Sequence, residues 1–462
     1  MTKIMKKIVT VAMVACTALG AVGCVVSDDS SKTELNVPTG MPNYEADADT
    51  LKVRFGGWSA PPPAGAYGQV ESFITEKSYQ EIADCGLDFI NGLYERNGSA
   101  DVIKALDCAA KAGVKYFPYY PNFLNLSSDT ISVDMLYESY KDVLEHEACM
   151  GIFACDEPSL SGIKKLGKAS ELFVQVQEKY NLTDKYLYAN LFPTYASSEQ
   201  LGTSDYREYL NNFGVLVKNK LLSVDYYPFS YNGFNYNITS GLLAQLELTQ
   251  IYAKAYGKEH WQFLQASYVG NNYLPDYYDY AMQIYASMAY GAQVLQYFCY
   301  WSPAANNTEE HLIASDGSKT ERWYDAQKIN NEIHNFDHVY MNYVDGWQGV
   351  MPVVGENNAK GKNSAFDRLT QALTNHERIK SISAKEDTIV GCFKDKNGYD
   401  GFLAVNYSVP ADAKADDVTI NFRQASKAIV YSYGEQSIVD LEDGVLNITL
   451  DRGQGAFIIP IV

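Results

Sequence analysis

The chain has 462 residues, a formal net charge of −19, and 37 tyrosines against 19 phenylalanines and 5 tryptophans. That length exceeds one ordinary core and suits a large α/β domain with a smaller companion. The charge argues against a basic phosphate-binding face, hence against nucleic acid, and fits a neutral or weakly charged ligand.

The N-terminus reads MTKIMKKIVTVAMVACTALGAVGC, with three lysines, an apolar run from Ile8 and small residues before Cys24. This pattern is an export signal over residues 1–23, too short to span a membrane. "AVGC", Ala21 to Cys24, resembles a bacterial lipobox, which implies lipidation of Cys24 and a flexible tether over residues 24–50. The expected location is the cell envelope, lipid-anchored and extracytoplasmic. Apart from Cys16 within the export signal, the remaining cysteines, Cys85, Cys108, Cys149, Cys155, Cys299 and Cys392, stand singly in apolar segments, a pattern of buried thiols rather than a disulfide framework or metal site.

From Leu51 short apolar runs alternate with helical periodicity. The strands are LKVRFGGWSAP, DFINGLY, KYFPYYP, MGIFACDEP, KYLYANLFP, LLSVDYYPF, HWQFLQASY and VLQYFCYWSP, each followed by a helical stretch. Eight strand-helix units with strands apolar on both faces describe a (β/α)8 TIM barrel over residues 51–344. "GGWSAPPP" after the first strand is no dinucleotide fingerprint. Beyond it, six short alternating strands with Asn-Gly and Asp-Gly turns predict an antiparallel β-sandwich over residues 345–462.

Barrel enzymes build their sites at the C-terminal strand ends. Those ends carry Trp58; Tyr94, Glu95 and Arg96; Tyr119 and Tyr120; Asp156 and Glu157; Asn190; Asp225, Tyr226 and Tyr227; Gln265; and Tyr300 with Trp301. Amides and carboxylates suit sugar hydroxyls, and ring faces suit the apolar faces of a pyranose. Candidate substrate contacts are therefore Trp58, Glu95, Tyr119, Asn190, Tyr226, Gln265 and Trp301. No histidine stands at a strand end, since His260 begins the seventh strand. The bland alternative is that Asp156-Glu157-Pro158-Ser159 only starts a helix.

A barrel whose fourth strand ends in glutamate, with an aromatic eighth strand ending in tryptophan and a β-sandwich behind it, resembles the large retaining glycoside hydrolase superfamily. The "DEPS" and "DYYPF" strand ends are similar to those of bacterial members of that group. The resemblance implies that Glu157 is the general acid/base and that Trp301 floors the sugar subsite. It also implies a nucleophilic glutamate ending the seventh strand, where this chain has Gln265, an amide that cannot serve. Three substitutes are open. Asp225 can be the second carboxylate, about 5 Å from Glu157 as a nucleophile or roughly 6.5–9.5 Å away as a base. Asp156 can act beside Glu157, as in the hexosaminidases with Asp-Glu at the fourth strand, provided the chain bends there. Glu95 is the third.

The expected function is a lipid-anchored, extracytoplasmic glycoside hydrolase cleaving an oligo- or polysaccharide by carboxylate acid/base chemistry, with Glu157, Asp225 and Asp156 as catalytic candidates. No cofactor or metal is implied, and the membrane is a partner only through the lipid. The alternative is a non-catalytic glycan-binding lipoprotein on a degenerate barrel, a reading favoured by Gln265.

Overall fold

Eight parallel strands alternate with eight helices, in the order the apolar periodicity predicts. They are β1 (Arg54–Trp58), β2 (Phe89–Asn91), β3 (Lys115–Phe117), β4 (Gly151–Asp156), β5 (Tyr186–Leu191), β6 (Leu221–Asp225), β7 (Glu259–Gln265) and β8 (Val294–Phe298). The helices are α1 (Glu76–Asp84), α2 (Ala100–Ala112), α3 (Val133–Leu144), α4 (Leu160–Tyr180), α5 (Tyr206–Leu216), α6 (Leu242–Ala255), α7 (Tyr277–Ala289) and α8 (Glu321–His334). The computed structural model describes residues 35–46, 51–93, 100–231, 236–269, 273–302, 311–408 and 414–462. The export signal, Cys24 and Glu95 lie outside them.

The sheet runs β3-β2-β1-β8-β7-β6-β5-β4. Parallel bridges Tyr116–Cys149 and Tyr119–Phe153 join its two ends and close the barrel. Its interior is filled by rings, with Phe89, Phe117, Phe153, Tyr188, Trp261 and Phe263 packed together, which is why the strands read as apolar on both faces. At the lower end Arg54 is held by Glu259 and Tyr186 and lies over the Trp261 ring.

The second region has nine strands where six were expected: β9 (Trp347–Val353), β10 (Ile379–Ala384), β11 (Thr388–Lys394), β12 (Asp400–Asn406), β13 (Asp416–Phe422), β14 (Lys427–Ser432), β15 (Glu435–Asp440), β16 (Val445–Leu450) and β17 (Gly455–Ile461). A six-stranded sheet β9-β11-β12-β17-β14-β15 faces a three-stranded sheet β10-β13-β16. Val390, Cys392, Phe402 and Ile458 on one face of the large sheet meet Val418, Ile420 and Leu446 of the small one. Its alternate residues, Ile389, Phe393, Leu403 and Phe457, point the other way and join the barrel's own core.

Val37–Val462 forms one compact unit. The stretch expected as tether is described from residue 35 to 46. There the Tyr44 hydroxyl lies 2.8 Å from both the Tyr343 hydroxyl and the Asp395 carboxylate, so this part packs on the folded unit.

Candidate active site

Strand register assembles the site. In the pairing of β4, β5 and β6, Asp156 stands opposite Asn190, and Asn190 opposite Ser223. Two residues on from Ser223 the pleat brings Asp225 to the same face of β6. The Asn190 amide nitrogen donates to both acids, at 3.4 Å to Asp156 Oδ1 and 3.2 Å to Asp225 Oδ1. Its oxygen accepts the Ser223 hydroxyl at 2.9 Å. Asp225 is buried; Asp156 stays open to solvent although protein walls surround it, as at the base of a cleft.

Adjacent strand residues point to opposite faces, so Glu157 joins this cluster only because the chain turns. Its N–H still donates to Asn190 O at 2.9 Å, continuing the ladder, and then its φ of +46 carries the backbone into Pro158 and α4. Non-glycine residues pay strain for that conformation, which persists where the surroundings enforce it. The bend that the Asp156–Glu157 pairing required after the strand is thus made at Glu157, just before Pro158.

Electrostatics bind the three acids into one system. Burial, opposed by the Asn190 bond, pushes Asp156 up to about 6. Burial and then the Asp156 charge raise Glu157 to about 7. Burial, Glu157 and Asp156 together hold Asp225 well above the ordinary carboxylate range. Among the described residues no lysine or arginine lowers any of the three.

Rings wall the opening. Trp58 stands edge-on to Phe153 at 5.1 Å, Tyr119 is tilted against the same ring at 4.7 Å, and Tyr227 packs on Phe298 at 5.1 Å. Trp58, Tyr119, Tyr227 and Phe298 are each only partly buried. Tyr195, on the loop after β5, has 57% of its surface exposed, yet burial first and then the charges of Asp225 and Glu157 raise its phenol. Sequence reasoning missed Tyr195, which follows rather than ends a strand.

Three expected sugar contacts are corrected. Gln265 is fully buried: its oxygen accepts the Phe229 N–H at 3.0 Å and its amide donates to Ser267 O at 3.3 Å, so it braces the hairpin after β6. Tyr226 is 5% exposed, with its hydroxyl accepting from Thr239 at 3.1 Å. Strand alternation turns Tyr227 into the opening instead. Trp301 is buried against Phe73 at 4.8 Å, because β8 ends at Phe298 and the chain then pairs with Ile313. Trp58 and Tyr119 lie partly buried at the strand ends, whereas Asn190 is buried and its amide is taken up by Asp156, Asp225 and Ser223. Among the described residues no cluster of histidine, cysteine, aspartate and glutamate could hold a metal ion.

No family model matches the chain, and no curated protein matches its sequence. Solved structures that it resembles include a GH27 β-L-arabinopyranosidase from Geobacillus stearothermophilus, with 10% identity, 90% of this chain and 97% of that one covered, and a TM-score of 0.45. A GH5_18 protein from Bifidobacterium longum, in complex with Manβ1-4GlcNAc, has 11% identity, 60% and 78% coverage and a TM-score of 0.43. A GH5_18 protein from Streptomyces cattleya, in complex with GlcNAc, has 11% identity, 60% and 79% coverage and a TM-score of 0.41. Likenesses this distant carry no weight for chemistry, which is read from the side chains alone.

Proposed function

We propose that the protein hydrolyses glycosidic bonds of an oligo- or polysaccharide, with Asp225 as the general acid and Asp156 as the opposing carboxylate. The observation that carries this reading is the single Asn190 amide holding both acids at the ends of β4 and β6. Two carboxyl groups whose environments push their proton affinities apart divide into acid and base. Asp225, buried and beside two other acids, keeps its proton and delivers it to the leaving oxygen. Asp156, the least raised of the three and stabilised by the Asn190 N–H, is the ionised partner.

Bonds of 3.4 and 3.2 Å to one nitrogen keep the two oxygens no farther apart than the sum of those distances. That limit admits the roughly 5–5.5 Å of double displacement and excludes nearly all of the ~6.5–9.5 Å that admits a water between the acids. Asp156 therefore attacks the anomeric carbon, and water releases the ester with Asp225 now acting as base. In this reading Glu157, the proton donor that the sequence resemblance implies, acts instead through its charge, which raises Asp225. The rings of Trp58, Tyr119 and Tyr227 suit the apolar faces of the sugar.

The glycan-binding alternative rested on Gln265 as a lost nucleophile. A glutamine consumed in bracing a hairpin removes that ground. The test is sugar release from a panel of plant, host and microbial glycans. Asp156→Asn and Asp225→Asn should each fall by about 10³-fold or more, Glu157→Gln by roughly tenfold, and NMR should find the product anomer retained. Product from Asp225→Asn at the unaltered rate overturns the assignment, and an inverted anomer removes Asp156 as nucleophile.

We also propose that the protein acts outside the cytoplasm, anchored through lipid on Cys24. The support is the lysine-led apolar run ending in "AVGC". A radiolabelled fatty acid fed to expressing cells should enter the protein and not Cys24→Ala; an unlabelled, freely soluble parent protein would refute the anchor.

A further inference from the structure

Behind the two acids a line of polar side chains crosses the barrel interior, otherwise filled by rings. Asn91 at the end of β2 donates to Gln296 Oε1 at 3.0 Å, and the Tyr188 hydroxyl donates to the same oxygen at 3.2 Å. Gln296, on β8, donates from Nε2 to Ser223 Oγ at 3.3 Å. Ser223 donates to Asn190 Oδ1, and Asn190 donates to Asp156 and Asp225. Asn91, Tyr188, Ser223 and Gln296 are fully buried, and Asn190 is 3% exposed. Every donor in the line faces the acids, and every acceptor faces away from them.

That polarity has a consequence for Asn190. A primary amide turned over by half a rotation keeps its shape but exchanges oxygen for nitrogen. Turned over, Asn190 would set its oxygen against two carboxyl groups and lose both bonds to them. The hydroxyl of Ser223 has one proton. With Gln296 Nε2 already donating to its oxygen, that proton is directed at Asn190 Oδ1, and the amide is held with nitrogen towards the acids.

We infer that Ser223, supported by Gln296, is a positioning residue that locks the Asn190 amide so that its two N–H groups hold Asp156 and Asp225. The inference rests on the carboxylate pair proposed above, but it concerns the resting protein. Asp156 and Asp225 are faced by Glu157 just beyond β4, by Tyr119, Tyr195 and Tyr227 at the strand ends, and by Tyr188 from below, and among the described residues no cation acts on either acid. The Asn190 amide is the side-chain donor that Asp156 and Asp225 share, beside a backbone bond to Asp225, so its loss falls on the proton distribution. Ser223 touches no reacting atom and leaves sugar contacts in place.

The test is a ¹³C NMR titration of carboxyl-labelled aspartate in the whole chain, assigned with Asp156→Asn and Asp225→Asn, and it needs no substrate. Ser223→Ala should raise the Asp156 midpoint by about half a unit or more, and Ser223→Thr, which restores the hydroxyl, should return it. Gln296→Met gives the same direction from the far side of the line and serves if Ser223→Ala fails to fold. On any glycan the protein cleaves, Ser223→Ala should lower kcat about tenfold, leave KM within about twofold and move the acid limb of the pH profile upward. Unmoved midpoints in both Ser223→Ala and Gln296→Met overturn the inference. A protein that cleaves nothing, yet shows the shifted midpoints, keeps this inference and sinks the hydrolase reading instead.

Discussion

Glu157 combines a backbone conformation suited to glycine with a charge placed beside two others. Its φ is +46, and burial with the Asp156 charge raises its carboxyl to about 7. Both features cost stability, and they separate by pH. A carboxyl whose folded value lies above its unfolded value binds more protons when folded, so stability falls as pH rises between the two and is lowest above the folded value. For Glu157 the penalty is absent below about pH 4 and complete above about pH 7. Glu157→Gln should therefore raise Tm by about 1–3 °C at pH 8 and leave it unchanged at pH 4. Glu157→Gly also relieves the left-handed strain, so its gain should persist at pH 4 and exceed that of glutamine at pH 8. Calorimetry at the two pH values checks both; a lower Tm for glutamine at pH 8 would mean that the charge is compensated.

Among the elements, β4 depends on its first residue. Gly151 has φ +151, and a Cβ there would stand 2.0 Å from Tyr186 O on β5. No side chain fits without breaking the β4–β5 pairing that sets Asp156 opposite Asn190. Gly151→Ala should cost about 3 kcal/mol or more in urea unfolding and abolish activity with it; a loss below about 1 kcal/mol would show that β4 can slide. The barrel strands were legible because each is an apolar run followed by a periodic helix, some with a capping side chain, as where Thr75 and Ser132 accept N–H groups at the starts of α1 and α3. β15 was not, since it is an edge strand, Glu435–Asp440, whose first four residues are exposed and carry no alternation. β9 hides behind a bulge at Gly349 and a proline, Pro352, tolerated at the other edge. Within the site the strand-end acids were legible, whereas Ser223 and Gln296 read as interruptions of apolar runs because only register across four strands gives them a purpose. Gln265 misled for the same reason: its position ends a strand, but its side chain turns to a hairpin 36 residues earlier in the chain.

For the whole molecule, the barrel and the β-sandwich share a core rather than a linker. Helix α7 is buried on nearly every side, which an amphipathic barrel helix would not be. Its far side lies on the large sheet, where Gly391 leaves room: a Cβ there would stand 2.6 Å from Ala289 O. Tyr340 and Tyr343 pack against Phe457, and Trp347 donates its indole N–H to Ala289 O at 3.0 Å. Cutting the chain at residue 344 would expose α7 and the rings beneath it, a patch of the kind that drives aggregation. Residues 51–344 alone should therefore be insoluble, and the intact folded unit should melt in one calorimetric transition although its length would allow two. Gly391→Val, by forcing the sheet off α7, should lower that single Tm and split it, the sandwich and the barrel then melting apart. Two transitions in the unaltered protein, or a soluble and folded barrel fragment, would show that the sandwich is an appendage. One transition ties the site at the strand ends to a sheet on the far side of α7, so that mutations in the sandwich lower activity in proportion to the stability they remove.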